Sequence, residues 1–494
     1  MFSRRHYSGL ALGTLCLFFF IFASSRLGER SLQRPFDGIP SLQYHYKPNQ
    51  GDTDSTTWKG PYTSGSPLRP YNAKCDDFPD ISNVLVVIKT GATESYAKIP
   101  TQLMTNLRCV DGFLIFSDMR QRIAGFEIYD SLETVLAEAK EGNPVFDLYR
   151  QQQTCPIDQE GCHMVHDFDS YDAWALDKYK NIHMAEKAYV MRPKYDWYLF
   201  IDADTYVVWP NLSQWLRGLD PNRDLYMGRV MVYDDSTFAH GDSIFAHGRS
   251  GYILSQAAMH RFVGLHPNVA NRFDTRIEDT CCGDHMISVA LNETTGIQPS
   301  QAWPVMNDEK PHSLYFGSEE WCKPIVTLHH TNSEDVSSFW EFEKQFYHNQ
   351  PSSLAQQRPL LFRDVYEGFL AAKIQPQRQD WDNLSNDVQY LDVKAGYSES
   401  EISSAKKDNL SPVEKDAHKS FKHCQKMCDE VNDCLQFSYH DGICAYNRGI
   451  SLGNPTRKAD KGSERWMSGW AVDKIDAWIQ QQGQCEEEII WPRV

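Results

Sequence analysis

Positive charge is scarce in this 494-residue chain: 49 Lys and Arg stand against 66 Asp and Glu, a formal charge of −17. No Lys/Arg cluster supplies the basic face that a polyphosphate backbone requires, which excludes nucleic acid as a partner. Long apolar runs are scarce too. The one such run, Leu10 to Ala23, follows Arg4, Arg5 and His6, and counted from Gly9 to Ser25 it has 17 residues, the lower end of what crosses a hydrocarbon core. Basic residues on its N-terminal side predict a signal anchor over 9–25, with 1–8 cytoplasmic and the rest lumenal, in a thin membrane of the secretory pathway such as the Golgi. The competing reading is a secreted chain, because Phe22-Ala23-Ser24-Ser25 offers the small residues of a signal-peptide cleavage point. Either way, the chain after Ser25 meets an oxidising lumen.

Cysteine is absent between Cys16, inside the apolar run, and Cys75, and the twelve from Cys75 onward are an even number, as a disulfide set requires. Asn211-Leu212-Ser213, Asn292-Glu293-Thr294 and Asn383-Leu384-Ser385 are sequons, and Asn409-Leu410-Ser411 is a fourth, weakened by Pro412. Length and a 41% hydrophobic, 13% aromatic composition allow a large core and predict two or three domains.

Residues 26–80 are rich in Pro, Gly, Ser, Thr and Asp without an apolar period, which predicts a stem. Apolar runs of strand length come next: Val84–Ile88, Phe113–Phe116 and, after a helix-compatible segment around Asp177–Val190, Trp197–Ile201. They are too short for helices and too apolar for exposed strands, so they predict buried strands of a largely parallel sheet. Ligands of such a sheet lie at the strands' C-terminal ends. Polar residues stand at each of those ends: Lys89-Thr90, Ser117-Asp118 and Asp202-Ala203-Asp204. A D-x-D tripeptide alone says little, since the chain has four: Asp52/Asp54, Asp167/Asp169, Asp202/Asp204 and Asp380/Asp382. Only the third follows an apolar strand and precedes another β-rich run, Thr205–Trp209. Two carboxylates there are costly as isolated charges, and a divalent cation with a pyrophosphate offsets that cost.

The segment Asp196-Trp197-Tyr198-Leu199-Phe200-Ile201-Asp202-Ala203-Asp204-Thr205-Tyr206-Val207-Val208 resembles the metal-binding segment of glycosyltransferase family 31, which includes the fringe-type enzymes and the core 1 β-1,3-galactosyltransferases. Ala203 replaces the middle aspartate of the family's triplet. The resemblance extends through residues 81–345. Val86–Thr90 and Phe116–Asp118 are similar to nucleotide-binding strands, which implies Thr90 and Asp118 at the nucleotide. Phe245–Ser255 resembles a Gly-Gly-Ala-Gly segment of which only Gly248 and Gly251 are kept, with Arg249 a bulkier departure. Ile277–Gly283 resembles the acidic motif of the catalytic base, implying Asp279 in that role. Val326–His330 resembles the late strand whose histidine completes the metal site, implying His329. The family then implies a GT-A type fold over 81–360 and inverting transfer from a UDP-sugar to a glycan or glycoprotein. It further implies Mn²⁺ or another divalent cation on Asp204 and His329, with Asp202 beside the nucleotide or its sugar. Galactose or N-acetylglucosamine in β-1,3 linkage is the implied product.

Polar residues dominate from about Leu360 to Leu410, which predicts a linker over 361–415 before a cysteine-dense, independently folding tail over 416–494. The tail segment Phe421–Cys428, with Cys434–Tyr439 and Cys444, resembles a PAN/apple module, a small α+β unit stapled by disulfides that binds carbohydrate or protein. That resemblance implies the pairs Cys424–Cys444 and Cys428–Cys434. A zinc site is the rival reading, which a lumenal setting disfavours. The remaining cysteines cannot be paired from sequence. Two other function classes compete with a transferase: a metal-dependent phosphoesterase using the same acidic residues, and a non-catalytic lumenal carbohydrate-binding protein resting on the tail.

Overall fold

The short apolar runs form strands that are buried on both faces. In the computed structural model, which describes residues 75, 78–155, 157–165, 170–233, 243–351, 357–459, 465–485 and 489–493, they build an eight-stranded sheet. Its order is Ser300–Gln301, Tyr226–Gly228, Tyr252–Ser255, Trp197–Asp202, Val84–Lys89, Phe113–Ser117, Phe126–Asp130, Gln121–Ile123. Only Tyr252–Ser255 and Gln121–Ile123 run against the others, so the sheet is mostly parallel, as expected.

Alternate residues of the central strands enter two separate cores. Leu85, Val87, Tyr198 and Phe200 pack with residues of the helices Lys180–Met191 and Gly283–Thr295, among them Ile182, Ala185, Met286 and Ala290. Val84, Val86, Ile88, Leu199 and Ile201 pack on the other face with Ile99, Leu212 and Trp215. Coverage on both faces is why these strands read as unbroken apolar runs instead of alternating ones. The fold is an α/β arrangement, a mostly parallel sheet covered on both faces.

A two-stranded antiparallel ribbon leaves this sheet just after the third polar strand end, pairing Tyr206–Val207 with Thr327–Leu328. The helix Ser333–His348 comes after it, started by a capping box in which Asn332 and Asp335 each accept from the other's backbone N–H. From that helix the buried carboxyl of Glu343 accepts a hydrogen bond from the Tyr206 hydroxyl, fixing the ribbon to the helix.

The tail is a five-stranded antiparallel sheet in the order Gln377–Gln379, Met467–Trp470, Gln436–His440, Ile443–Asn447, Val388–Tyr390, with the helix Phe421–Glu430 packed on it. Cys424–Cys444 and Cys428–Cys434 are bonded as expected, and the other disulfides are Cys75–Cys109, Cys155–Cys162, Cys281–Cys282 and Cys322–Cys485. Two expectations need correction. The segment expected as a linker supplies the two outer strands of this sheet, so 361–415 is structural and not a connector. The tail is also not a separate unit, because Leu435, Ile450, Leu452, Trp470 and Ile475 share one core with Tyr206, Phe316, Trp321 and Phe339. Phe316 and Ile450 exchange backbone hydrogen bonds, and the Cys322–Cys485 bond ties the tail to the segment before the helix Ser333–His348. All described residues fall within one compact unit.

Two sequons are structural as well. The amide nitrogen of Asn211 donates to the Ile325 and Leu360 carbonyls, and that of Asn383 to the Phe437 and Gly469 carbonyls, both asparagines being fully buried. Asn292 and Asn409 are exposed. The anchor expected over 9–25 and nearly all of the stem lie outside the described residues. Among the described residues no helix is long and apolar enough to cross a membrane.

Burial pushes the Glu343 carboxyl up to about 8, against the hydrogen bond from Tyr206. The unfolded chain ionises this group from about 4.5 upward while the fold keeps it neutral, so its contribution to stability falls as pH rises from about 4.5 towards 8. Glu343→Gln keeps an acceptor for Tyr206 without the ionisation. We predict thermal melts close to the parent at pH 5, and a variant more stable on the order of 2 kcal/mol at pH 8; an equal loss at both values would contradict this.

Candidate active site

Register assembles the site. Lys89 lies opposite Asp202 on one side and Phe116 on the other, which places the polar ends of three parallel strands at one level. The Lys89 ammonium pairs with Asp202 at 3.2 Å and with Asp177. Asp177 also accepts from Lys180 at 3.1 Å, and Lys180 reaches Asp118 at 3.5 Å and the Thr90 carbonyl at 2.9 Å. Asp118 further accepts from the Ala92 N–H at 2.6 Å and the Ser117 hydroxyl at 3.1 Å. The Thr90 hydroxyl is buried without a hydrogen-bond partner among the described residues.

These charges shape one another. Burial disfavours the Lys89 ammonium, but Asp177 and Asp202 outweigh it and hold the lysine above its usual range. Burial pushes Asp202 up to about 7, with Asp177 and Asp204 adding repulsion against the attraction of Lys89.

Asp204 belongs to a second group. Its carboxylate meets Lys98 at 3.0 Å and His329 Nδ1 at 3.4 Å, and Thr331 donates to its carbonyl through N–H at 3.0 Å and hydroxyl at 2.7 Å. Burial opposes its charge, and the imidazole and Lys98 overcome this, keeping it below the usual carboxylate range. Burial lowers His329 to about 3 despite Asp204, so the ring is neutral at physiological pH, the form that ligates a metal. Ligand atoms of Asp204, His329 and His330 all lie within 4.8 Å of one another. His330 has φ +56°, a left-handed conformation that breaks the side-chain alternation of a strand and brings adjacent histidines to one side, ring centroids 4.2 Å apart. The helix Ser95–Met104 braces this turn: Gln102 donates to the Ala203 and Thr205 carbonyls, and Lys98 comes from the same helix.

The Ala203 methyl is buried against the sheet's second core, so the middle position of the triplet is a packing position here. Gly251, at φ +74°, lies against the same strand; a Cβ would stand 3.0 Å from the Phe200 carbonyl oxygen. Arg249 is exposed, and its charge acts on both His329 and His330.

Asp279 stands apart from these contacts, exposed at the end of a short 3-10 helix, Ile277–Asp279. Its segment is fixed to the charge network through Lys178, which donates to the Glu278 and Thr280 carbonyls at 2.9 and 3.2 Å and neighbours Asp177 in sequence. Gly283 allows that approach, since a Cβ there would lie 2.8 Å from the Lys178 carbonyl oxygen. Of the other D-x-D pairs, Asp52/Asp54 and Asp167/Asp169 lie outside the described residues, and Asp380/Asp382 lies in the tail, Asp382 in a two-residue strand paired with Asn454–Pro455 and Asp380 paired to Arg465.

Sequence reasoning missed Lys98, Asp177, Lys180 and His330. Lys180 and Asp177 flank a helix start with no motif to mark them, and His330 would face away from His329 in a regular strand. Lys180 is the sole described cation on the buried Asp118. We predict that Lys180→Met destabilises the fold by about 3 kcal/mol, as removal of one partner of a buried pair does; chemical denaturation unchanged by the substitution would show that the network is solvated.

A family model described as Fringe-like matches residues 145–302. The match contains Asp202, Asp204, Arg249 and Asp279, while Thr90, Asp118 and His329 fall outside it. Among solved structures, a glycosyltransferase described as involved in the glycosylation of the major capsid of PBCV-1 is similar over 51% of this chain and 99% of its own, at 12% identity and a TM-score of 0.27. Residues 145–302 therefore match a Fringe-like domain, and that match is the comparison that supports a glycosyltransferase.

Proposed function

We propose that the chain moves a sugar from a UDP-sugar onto a hydroxyl of a glycan or glycoprotein, with inversion and with a divalent cation, as a Golgi enzyme anchored through 9–25. The observation that carries the reading is the cluster of Asp204, His329 and His330 at the end of a central parallel strand. One carboxylate held ionised and a buried imidazole held neutral are a donor set suited to Mn²⁺, and His330 adds a third ligand atom to the two that the sequence suggested. When bound, the cation neutralises the diphosphate and stabilises the departing nucleotide.

The chain's own residues divide the remaining work. Thr90, with its buried unpartnered hydroxyl, and Asp118 sit at the ends of the first two strands, where a nucleoside has polar partners. Asp202, held by Lys89, lies beside the sugar. Lys98 and Arg249 add positive charge on the diphosphate side, which explains the tolerance of a bulky residue at 249. Asp279, exposed to an incoming acceptor, takes the hydroxyl proton as the bond to the anomeric carbon forms. Galactose or N-acetylglucosamine in β-1,3 linkage is the product the family resemblance favours.

Asp204→Asn keeps the side-chain size and the carbonyl that Thr331 holds. It should weaken Mn²⁺-dependent UDP binding by more than the ~100-fold seen when a mere supporting partner of a metal ligand is removed. Calorimetry showing unchanged Mn²⁺-dependent affinity would remove Asp204 from the metal site. Asp279→Asn should retain UDP and metal binding yet transfer at least ~10²-fold more slowly, and full activity would place the base elsewhere.

A further inference from the structure

The D-x-D pair left over from the catalytic site leads to a second one. Asp380 and Asp382 flank Trp381 beside the tail sheet, where Trp381–Asp382 pairs with Asn454–Pro455, and they part: Asp380 forms an ion pair with Arg465, whereas Asp382 lines a half-open cavity of about 340 Å³. The cavity lies on the tail sheet, with Asn386, Gln389, Ser438, His440 and Trp466 among its walls. The His440 imidazole stacks on the Trp466 indole, centroids 4.3 Å apart and planes 11° from parallel, so the ring wall is held in one orientation.

The polar groups opposite are incompletely used. Asp382 accepts from the Leu384 N–H through Oδ1, and Asn386 Oδ1 accepts from Gln389 Nε2. That leaves Asp382 Oδ2, Asn386 Nδ2 and Gln389 Oε1 without a hydrogen-bond partner among the described residues, two acceptors and a donor around one cavity. Burial raises Asp382 while His440 opposes, so the wall carries a carboxylate whose solvation is already poor. Neither lysine nor arginine lines the cavity, which speaks against phosphate, sulfate or another anion.

We infer that this cavity is a second saccharide site, separate from the transfer centre, for a neutral sugar. A flat aromatic wall matches the apolar C–H face of a pyranose, and clustered donors and acceptors match vicinal hydroxyls, which both donate and accept. A chain that also transfers sugars gains from such a site by holding a glycosylated acceptor near the reaction centre. The inference does not require the transferase reading, because it rests on the tail alone.

The test uses the full chain in EDTA without nucleotide, so that the metal-dependent centre is silent, against immobilised galactose-, N-acetylglucosamine-, glucose- and mannose-terminated glycans, with an unglycosylated peptide and a sulfated glycan as controls. Binding to at least one neutral glycan is expected. Trp466→Ala should weaken it at least about tenfold, as loss of a central aromatic anchor does, Trp466→Phe should restore most of it, and Asp204→Asn should leave it unchanged. Should Trp466→Ala fail to fold, the exposed Asn386→Ala provides the same comparison. Binding of no neutral glycan, binding indifferent to both residues, or Trp466-dependent binding of the peptide or the sulfated glycan instead would overturn the assignment. Loss of glycan binding in Asp204→Asn would place the bound sugar at the transfer centre and overturn it equally.

Discussion

Charge buried at the ends of parallel strands is the constraint around which this molecule is organised. Asp118, Asp177, Asp202 and Asp204 meet Lys89, Lys98 and Lys180 within one region of the sheet, four carboxylates against three ammonium groups. Removing such groups from water costs several kcal/mol each unless partners replace it, so the strand ends hold only if the lysines arrive from helices on both sides. Lys180 starts the helix under one face and Lys98 lies on the helix over the other. The helical layers are therefore part of the site's electrostatics as well as its scaffold. Carboxylates outnumber these ammonium groups, since Lys98 also pairs with Glu94, and burial pushes Asp202 up to about 7.

A second constraint is mechanical. His329 and His330 follow a two-residue strand, Thr327–Leu328, that pairs with Tyr206–Val207 and bridges to Met306 through Thr327. So short a ribbon has little stability of its own. Asn106 bonds the Val207 backbone in both directions, Thr331 clasps Asp204, and Glu343 holds Tyr206. Since Tyr206 also belongs to the core shared with Leu435, Ile450 and Trp470 of the tail, the tail supports the ribbon that carries the histidines. Residues remote in sequence thus set the position of the candidate metal ligands.

The legible parts of the sequence reflect this division. The strands at 84–89, 113–117 and 197–202 were legible because burial on both faces leaves runs with no polar interruption, and their polar ends marked Thr90, Asp118, Asp202 and Asp204. His329 was legible through the family resemblance of Val326–His330. The lysines were not, because a cation that reaches a site from a neighbouring helix leaves no local pattern. His330 depended on a single left-handed residue, which no periodicity reveals. The region 361–415 misled for another reason: its strands are two or three residues long and half exposed, so their composition is that of a loop. Cysteine density likewise suggested autonomy, yet the tail's apolar residues are divided between its own core and the shared one.

The central claim is that the clustered acids, lysines and histidines serve transfer from a nucleotide-sugar. It is tested most directly by incubating the purified chain with a panel of UDP-sugars, with and without Mn²⁺, and measuring UDP release. The account predicts release from one donor that requires the cation and accelerates when a glycan or glycoprotein acceptor is supplied. Cation-independent release, or hydrolysis of simple phosphate esters with no UDP formed from any donor, would contradict it.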